Sequence, residues 1–230
     1  MKVSAIITAA GLGKRMGRDR PKQFLEIGGS PILIHTLKKF EASKTVEFIV
    51  ITTEALHLEE TQELIAGSKI LSKEWIVVAG GKKRQDSVSN GLNAIPQESE
   101  IVAVHDGVRP FIETSIIDQS VELARESGGC IVAVPVKDTI KRGTITDLIS
   151  ETVDRSSLWS AQTPQTFKYE ILRRAHTEAY AEKFYGTDEA SLVERINEPI
   201  KLLKGSYNNI KITTPEDLEF AEAFIKKENL

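Results

Sequence analysis

The sequence predicts an α/β fold with a mostly parallel sheet flanked by helices, and three observations point to it. Short β-branched apolar runs alternate with longer segments of helical period along the 230 residues. Several of these runs are continuously apolar rather than alternating, as in parallel strands covered on both faces. Hydrophobic residues make up 40% of the chain and charged residues 27%, which fits one soluble domain over 1–230 with a sizeable core.

Taken in order, the predicted strands are Val3–Thr8, Glu47–Thr52, Trp75–Val78, Ile101–His105, Cys130–Val136, Ile200–Leu203 and Ile210–Thr213. Helices are predicted between them. Ser30-Pro31 reads as a cap and a first-turn proline opening Ile32–Ala42. Asp86–Ala94, Glu113–Glu126 and Lys168–Glu182 follow. Thr214-Pro215-Glu216-Asp217 opens the last helix, to about Lys227, with acids suited to its first turn. The β-α-β order favours a parallel sheet. Asp138–Leu158 breaks the rhythm. It mixes charged, Thr and Ile residues, has Arg142-Gly143 as its expected turn, and reads as a hairpin arm. Such an arm is either a surface excursion or a dimerisation device.

Composition excludes several classes. A net charge of −3 argues against a generally basic nucleic-acid binder, so no nucleic-acid partner is expected. Cys130 is the only cysteine, which rules out an internal disulfide and a Cys-rich metal site; its apolar surroundings predict a packed thiol. His35, His57 and His176 lack metal-ligand spacing. The run Val3–Ala10 is too short to span a bilayer and shows no signal-peptide pattern, so no membrane association and a cytoplasmic location are expected.

Chemistry concentrates in the loops. The first strand ends in Thr8-Ala9-Ala10-Gly11-Leu12-Gly13-Lys14-Arg15-Met16-Gly17. Small residues after a strand let backbone N–H groups approach phosphate oxygens. Met16 breaks the dinucleotide fingerprint, and Gly11 lacks the Gly-Lys of a P-loop, so neither of those binding modes fits. Lys14, Arg15, Arg18, Arg20 and Lys22 oppose the single acid Asp19, a local positive charge complementary to a triphosphate.

Gly80–Ser87 is a second loop entering a helix, where Ser87 either caps backbone N–H groups or contacts a ligand and Arg84 reads as a solvated charge. Asp106 lies just beyond a buried strand's carboxyl end, where open α/β sheets place ligand-binding groups. It suits either a magnesium site or a turn paired with Arg109. His105 reads as a packed strand residue. Arg155 is, on its own, either a phosphate clamp or an exposed charge, and Lys211 an edge-strand lysine.

Together these motifs resemble the 2-C-methyl-D-erythritol 4-phosphate cytidylyltransferase family of the non-mevalonate isoprenoid pathway. The resemblance rests on Ala9-Ala10-Gly11-x-Gly13-x-Arg15-Met16, Pro21-Lys22-Gln23, Asp86-Ser87-Val88 and His105-Asp106-Gly107-Val108-Arg109-Pro110. It continues through Asp138-Thr139-Ile140-Lys141, Thr152-Val153-Asp154-Arg155, Thr163-Pro164-Gln165, Thr187-Asp188-Glu189-Ala190 and Asn209-Ile210-Lys211, covering almost the whole chain.

The resemblance implies a Rossmann-like nucleotidyltransferase fold with a protruding β-hairpin dimerisation arm at about 138–158. It implies that Ala9, Ala10, Gly11, Gly81, Ser87 and Asp106 contact CTP, and that Arg15 and Lys22 stabilise transition-state charge. Asp106 would also serve the Mg²⁺ site. Arg109, Thr139, Arg155, Thr163 and Lys211, with Asp106, would hold the methylerythritol phosphate, and Arg155 and Lys211 count among the catalytic set. Thr139 and Arg155 would act across a homodimer. Gly107 departs from the alanine often found there, and a looser cytidine or ribose contact is expected.

The implied reaction is attack of a phosphate oxygen of 2-C-methyl-D-erythritol 4-phosphate on the α-phosphorus of CTP, releasing pyrophosphate. A ribitol 5-phosphate cytidylyltransferase is the nearest rival. Ala10 and the run Asp154–Trp159 argue against it, since such proteins tend to carry glycine at the former position and lack the latter run. A dinucleotide-dependent oxidoreductase fails at Met16. A non-catalytic nucleotide sensor is disfavoured by Arg15, Lys22, Asp106 and Lys211 standing together.

Overall fold

The structure, a computed structural model, describes residues 2–11 and 21–228. β1 (Lys2–Ala9) precedes a 3₁₀ turn at Lys22–Phe24, a small ribbon of β2 (Glu26–Ile27) and β3 (Ser30–Pro31), and α1 (Ile32–Glu41). Next come β4 (Phe48–Thr53), α2 (Leu58–Ser68), β5 (Glu74–Ala79), α3 (Arg84–Ala94), β6 (Ser99–Asp106), α4 (Thr114–Ser127) and β7 (Gly129–Pro135). The arm is β8 (Ile140–Gly143) with β9 (Ile149–Val153). The chain then forms β10 (Trp159–Lys168), α5 (Tyr169–Ala181), α6 (Glu189–Arg195), β11 (Lys201–Lys204) and α7 (Pro215–Glu228).

Seven strands make one sheet in the order β11–β7–β10–β6–β1–β4–β5. All neighbours are parallel except at β10, which runs antiparallel to both β6 and β7. Both faces are buried, which explains the continuous apolar runs. Along β1, Val3, Ala5, Ile7 and Ala9 pack against α1, α2 and α4, while Ile6 faces the side covered by α3, α5 and α6.

The order of the strands places the site. From β1 the chain moves to β4 and β5 on one side, then returns to β6 on the other. Thr8 sits opposite Asp106, Ala9 opposite Thr53, and Thr53 opposite Ala79, so four strands end level with one another. Ligands bind at the carboxyl ends of strands where such an order reverses.

The structure corrects several predicted elements. Ile210–Thr213 is a loop rather than a strand. It crosses the turn after β6 with one backbone bond, Ile212 N–H to Val108 O (2.9 Å), and forms no ladder. Pro31 is the N-cap of α1 rather than its first residue, because Ser30–Pro31 pairs with Glu26–Ile27. The hairpin turns at 144–148 instead of Arg142-Gly143, with Thr144 N–H bonded to Leu148 O (2.8 Å) and Asp147 at a φ of 59°. α3 begins two residues before the predicted start, at Arg84. The start of α7 is as expected: Asp217 accepts from the N–H groups of Thr213 (2.8 Å) and Thr214 (2.9 Å).

Candidate active site

The level ends of β1, β4, β5 and β6 open into a cavity of about 500 Å³. Ala9, Ala10 and Gly11 form the wall beyond β1, and Lys22 enters from the 3₁₀ turn. Gly81 and Ser87 lie beyond β5, and Asp106 and Lys211 complete the lining. These are eight of the residues predicted from sequence. Arg15, with Lys14, Arg18 and Arg20, lies outside the described residues.

The Gly81 turn is built tightly. Ser87 Oγ accepts from Gly81 N–H (3.0 Å) and donates to Lys83 O (3.3 Å), so its hydroxyl caps the turn while its side lines the cavity. A Cβ on Gly81 would lie 2.2 Å from Asp86 Cβ, a distance that only glycine avoids. Gly107 behaves differently from expectation. A methyl there would face Thr8 O (3.1 Å), Ala9 Cβ and Leu33 (both 3.3 Å), and Gly107 is not among the residues lining the cavity. Its missing methyl therefore concerns the packing of α1 against β1, and no loosened ligand contact follows from it.

Asp106 is the electrostatic centre. Its Oδ1 meets Arg84 Nε (3.3 Å), and its Oδ2 meets Arg109 Nε (3.2 Å) and Lys211 Nζ (3.0 Å). Burial by itself would raise its pKa. The charges of Arg84, then Lys211 and Arg109, outweigh that and hold the carboxyl far below the usual carboxylate range. Arg109 also donates to Asn209 O (2.7 Å), which ties the loop carrying Lys211 to the end of β6.

Behind Asp106 runs a chain of fixed polar groups. Asp106 N–H donates to Thr163 Oγ1 (3.1 Å), Thr163 lies 3.0 Å from His105 Nδ1, and His105 Nε2 lies 3.1 Å from Arg109 O. A carbonyl only accepts, so the His105 proton sits on Nε2 and Thr163 donates to Nδ1. Burial pushes the His105 pKa down to about 4, which keeps the ring neutral. Arg109 and Thr163 thus stand directly behind the cavity's acidic centre. Thr139 and Arg155, by contrast, are exposed on the arm and do not line the cavity of this chain; Arg155 donates to Lys137 O.

Two functional candidates are not apparent from sequence. Arg84 is no solvated charge: it lines the cavity and bridges Asp106 to Glu189, whose two oxygens lie 2.7 Å from its Nη1. Its position at the entry to a helix beside the cavity is the signal that could have found it. Glu189 stands within the Thr187-Asp188-Glu189-Ala190 motif, which by itself gives it no role.

A family model, 2-C-methyl-D-erythritol 4-phosphate cytidylyltransferase, matches residues 3–227. The chain belongs to this family. A protein of that name from Geotalea uraniireducens is 49% identical over all of this chain and 99% of its own length. One from Bacillus velezensis is 46% identical over all of this chain and 98% of its own length. Among solved structures, 4-diphosphocytidyl-2C-methyl-D-erythritol synthase from Anaerococcus prevotii superposes with a TM-score of 0.87 at 31% identity, covering 98% of this chain and 96% of the other. As a 2-C-methyl-D-erythritol 4-phosphate cytidylyltransferase family member the chain is a nucleotidyltransferase, and the CDP-ribitol alternative is not favoured.

Proposed function

We propose that the cavity transfers a cytidylyl group from CTP to 2-C-methyl-D-erythritol 4-phosphate, giving 4-diphosphocytidyl-2-C-methyl-D-erythritol and pyrophosphate. One observation carries the assignment of the site: the end of β1, the Gly81 turn, Lys22 and the Asp106–Lys211 pair all face one cavity. Ala9, Ala10, Gly11, Gly81 and Ser87 bind CTP, leaving room for backbone donors at the phosphates. Lys22 and Arg15 stabilise charge on the transferring and leaving phosphates. Lys211 holds the phosphate of the polyol, with Arg109 fixing Asp106 and the Lys211 loop from behind and Thr163 fixing the backbone beneath Asp106. The attacking phosphate oxygen is already anionic, so the reaction runs on positioning and charge stabilisation without a general base.

Asp106 supplies one hard carboxylate, and among the described residues no group of three or more His, Cys, Asp or Glu is placed to hold a metal. Such a set fits a Mg²⁺ shared with substrate phosphates rather than caged by protein. Asp106 would hold it, and the metal would neutralise phosphate charge when bound. Lys211, 37% exposed and on a flexible stem, is the Asp106 partner best able to leave for the polyol phosphate.

The partner we propose for the arm is a second copy of this chain. Ile145, Leu148 and Ile149 at the arm's tip and outer strand are 103%, 67% and 67% exposed, an apolar surface unsuited to water. In that homodimer Thr139 and Arg155 serve the other copy's cavity. Water-soluble phosphate substrates are consistent with the cytoplasmic location we propose; among the described residues no helix is long and apolar enough to cross a membrane.

The test is ³¹P NMR of a reaction containing CTP, 2-C-methyl-D-erythritol 4-phosphate and Mg²⁺. Coupled diphosphate resonances of a new ester, appearing with pyrophosphate, are expected. Loss of only the terminal phosphate of CTP overturns the assignment.

A further inference from the structure

The Glu189–Arg84 pair has no part in the roles above, yet it is built with care. Glu189 opens α6 and is 1% exposed. Its helix is pinned to β10, since Gln165 Oε1 accepts from Ala190 N–H (3.0 Å) and Gln165 Nε2 donates to Asp188 Oδ2 (2.7 Å). Asp188 in turn caps α6 through Ser191 N–H (3.0 Å). A buried carboxylate is unfavourable unless paired and hydrogen-bonded, and Arg84 meets both its oxygens. The guanidinium is thereby immobilised, with Nε left to meet Asp106 Oδ1.

The three cations around Asp106 differ in how they are held. Arg84 is anchored by Glu189, and Arg109 by Asn209 O. Lys211 is the most exposed of the three. One anchored guanidinium therefore stands on each carboxylate oxygen. The rotation of the carboxylate about Cβ–Cγ is clamped while Lys211 can depart.

Resting on the reading of this cavity as the cytidylyl-transfer site, we propose that Glu189 and Arg84 are positioning residues that hold the Asp106 carboxylate in its working orientation. Glu189 acts through Arg84, and Arg84 acts through Asp106. Neither needs to touch the transferring phosphorus.

The experiment measures kcat and KM for Glu189→Gln and Arg84→Lys, each made in the wild-type chain and in an Asp106→Asn background. Wild-type turnover is established first; its absence would refute the functional reading, whereas the behaviour of the variants bears on the pair alone. Each single variant is expected to lower kcat by about tenfold to a hundredfold, as for other residues that orient a functional ligand, with KM for CTP moving by less than about threefold. In the Asp106→Asn background the same changes are expected to add less than about twofold, because groups acting through one residue are not additive. An unchanged kcat in Glu189→Gln, or an equal further loss in the Asp106→Asn background, overturns the proposal. So does a melting point below the assay temperature in both variants, which would assign the pair to folding alone.

Discussion

Lys22 and Gly81 both line the cavity, and their substitutions are expected to fail differently. Lys22→Ala removes a preorganised cation and should lower kcat by about a hundredfold or more while leaving the melting point near that of the wild type. Near-normal turnover in that variant would contradict its role. Gly81→Ala places a methyl against Asp86. The turn must shift, at a cost of about 1–3 kcal/mol, and KM for CTP should rise severalfold in steady-state assays. An unchanged KM would show that the turn does not touch the nucleotide. At this scale the sequence exposed the small and cationic residues of the loops, whose types announce anion binding. It concealed Arg84, which stands after Lys82 and Lys83 and looks like one more solvated charge. Only the tertiary fold, which brings the start of α6 to the start of α3, places Glu189 against it.

The arm carries the clearest prediction among the elements. If the proposed homodimer forms through the arm, Ile145→Asp with Leu148→Asp should leave the cavity intact and shift the protein from dimer to monomer in sedimentation velocity. Under the proposed service of the other copy's cavity by Thr139 and Arg155, turnover should fall with dissociation; full activity in a proven monomer would refute that assignment. Strands such as β1 and β6 were legible because both faces are apolar. β10 was not, because Gln162, Thr163, Gln165 and Thr166 are buried within it. Their burial is tolerated through specific partners, such as Thr166 Oγ1 with Ser120 Oγ (2.9 Å) and Gln162 Nε2 with Ser206 O (2.9 Å), which no periodicity reveals. The packed thiol predicted from the apolar run around Cys130 is confirmed: it is fully buried, and burial pushes its pKa up to about 12. Thiol reagents should leave it unmodified until the chain unfolds.

For the molecule as a whole, acid stability follows from two buried histidines. Burial pushes His105 down to about 4, and burial followed by the charges of Arg173 and Arg84 does the same to His176. A depressed histidine is neutral in the fold but binds a proton once unfolded, so stability is full above about pH 6.5 and falls as the pH drops toward 4. Each should contribute on the order of 2–3 kcal/mol to that loss. Among the described residues neither ring nitrogen of His176 has a hydrogen-bond partner. His176→Leu should flatten part of the acid limb in melts from pH 7 to 4, and an unchanged limb would contradict this. The α/β architecture was legible in the strand and helix periodicities, and the loop motifs marked most of the cavity. What joins them, the reversal of strand order at β1 and the antiparallel insertion of β10, arises from long-range pairing that local patterns do not encode. The claim that this cavity is the cytidylyl-transfer site is tested most directly by pyrophosphate release, measured with each of the four nucleoside triphosphates against 2-C-methyl-D-erythritol 4-phosphate and ribitol 5-phosphate. Turnover concentrated in the pairing of CTP with 2-C-methyl-D-erythritol 4-phosphate, and strongly reduced though still measurable in Asp106→Asn, is the expected result. Robust turnover of ribitol 5-phosphate alone, or turnover indifferent to Asp106, would contradict it.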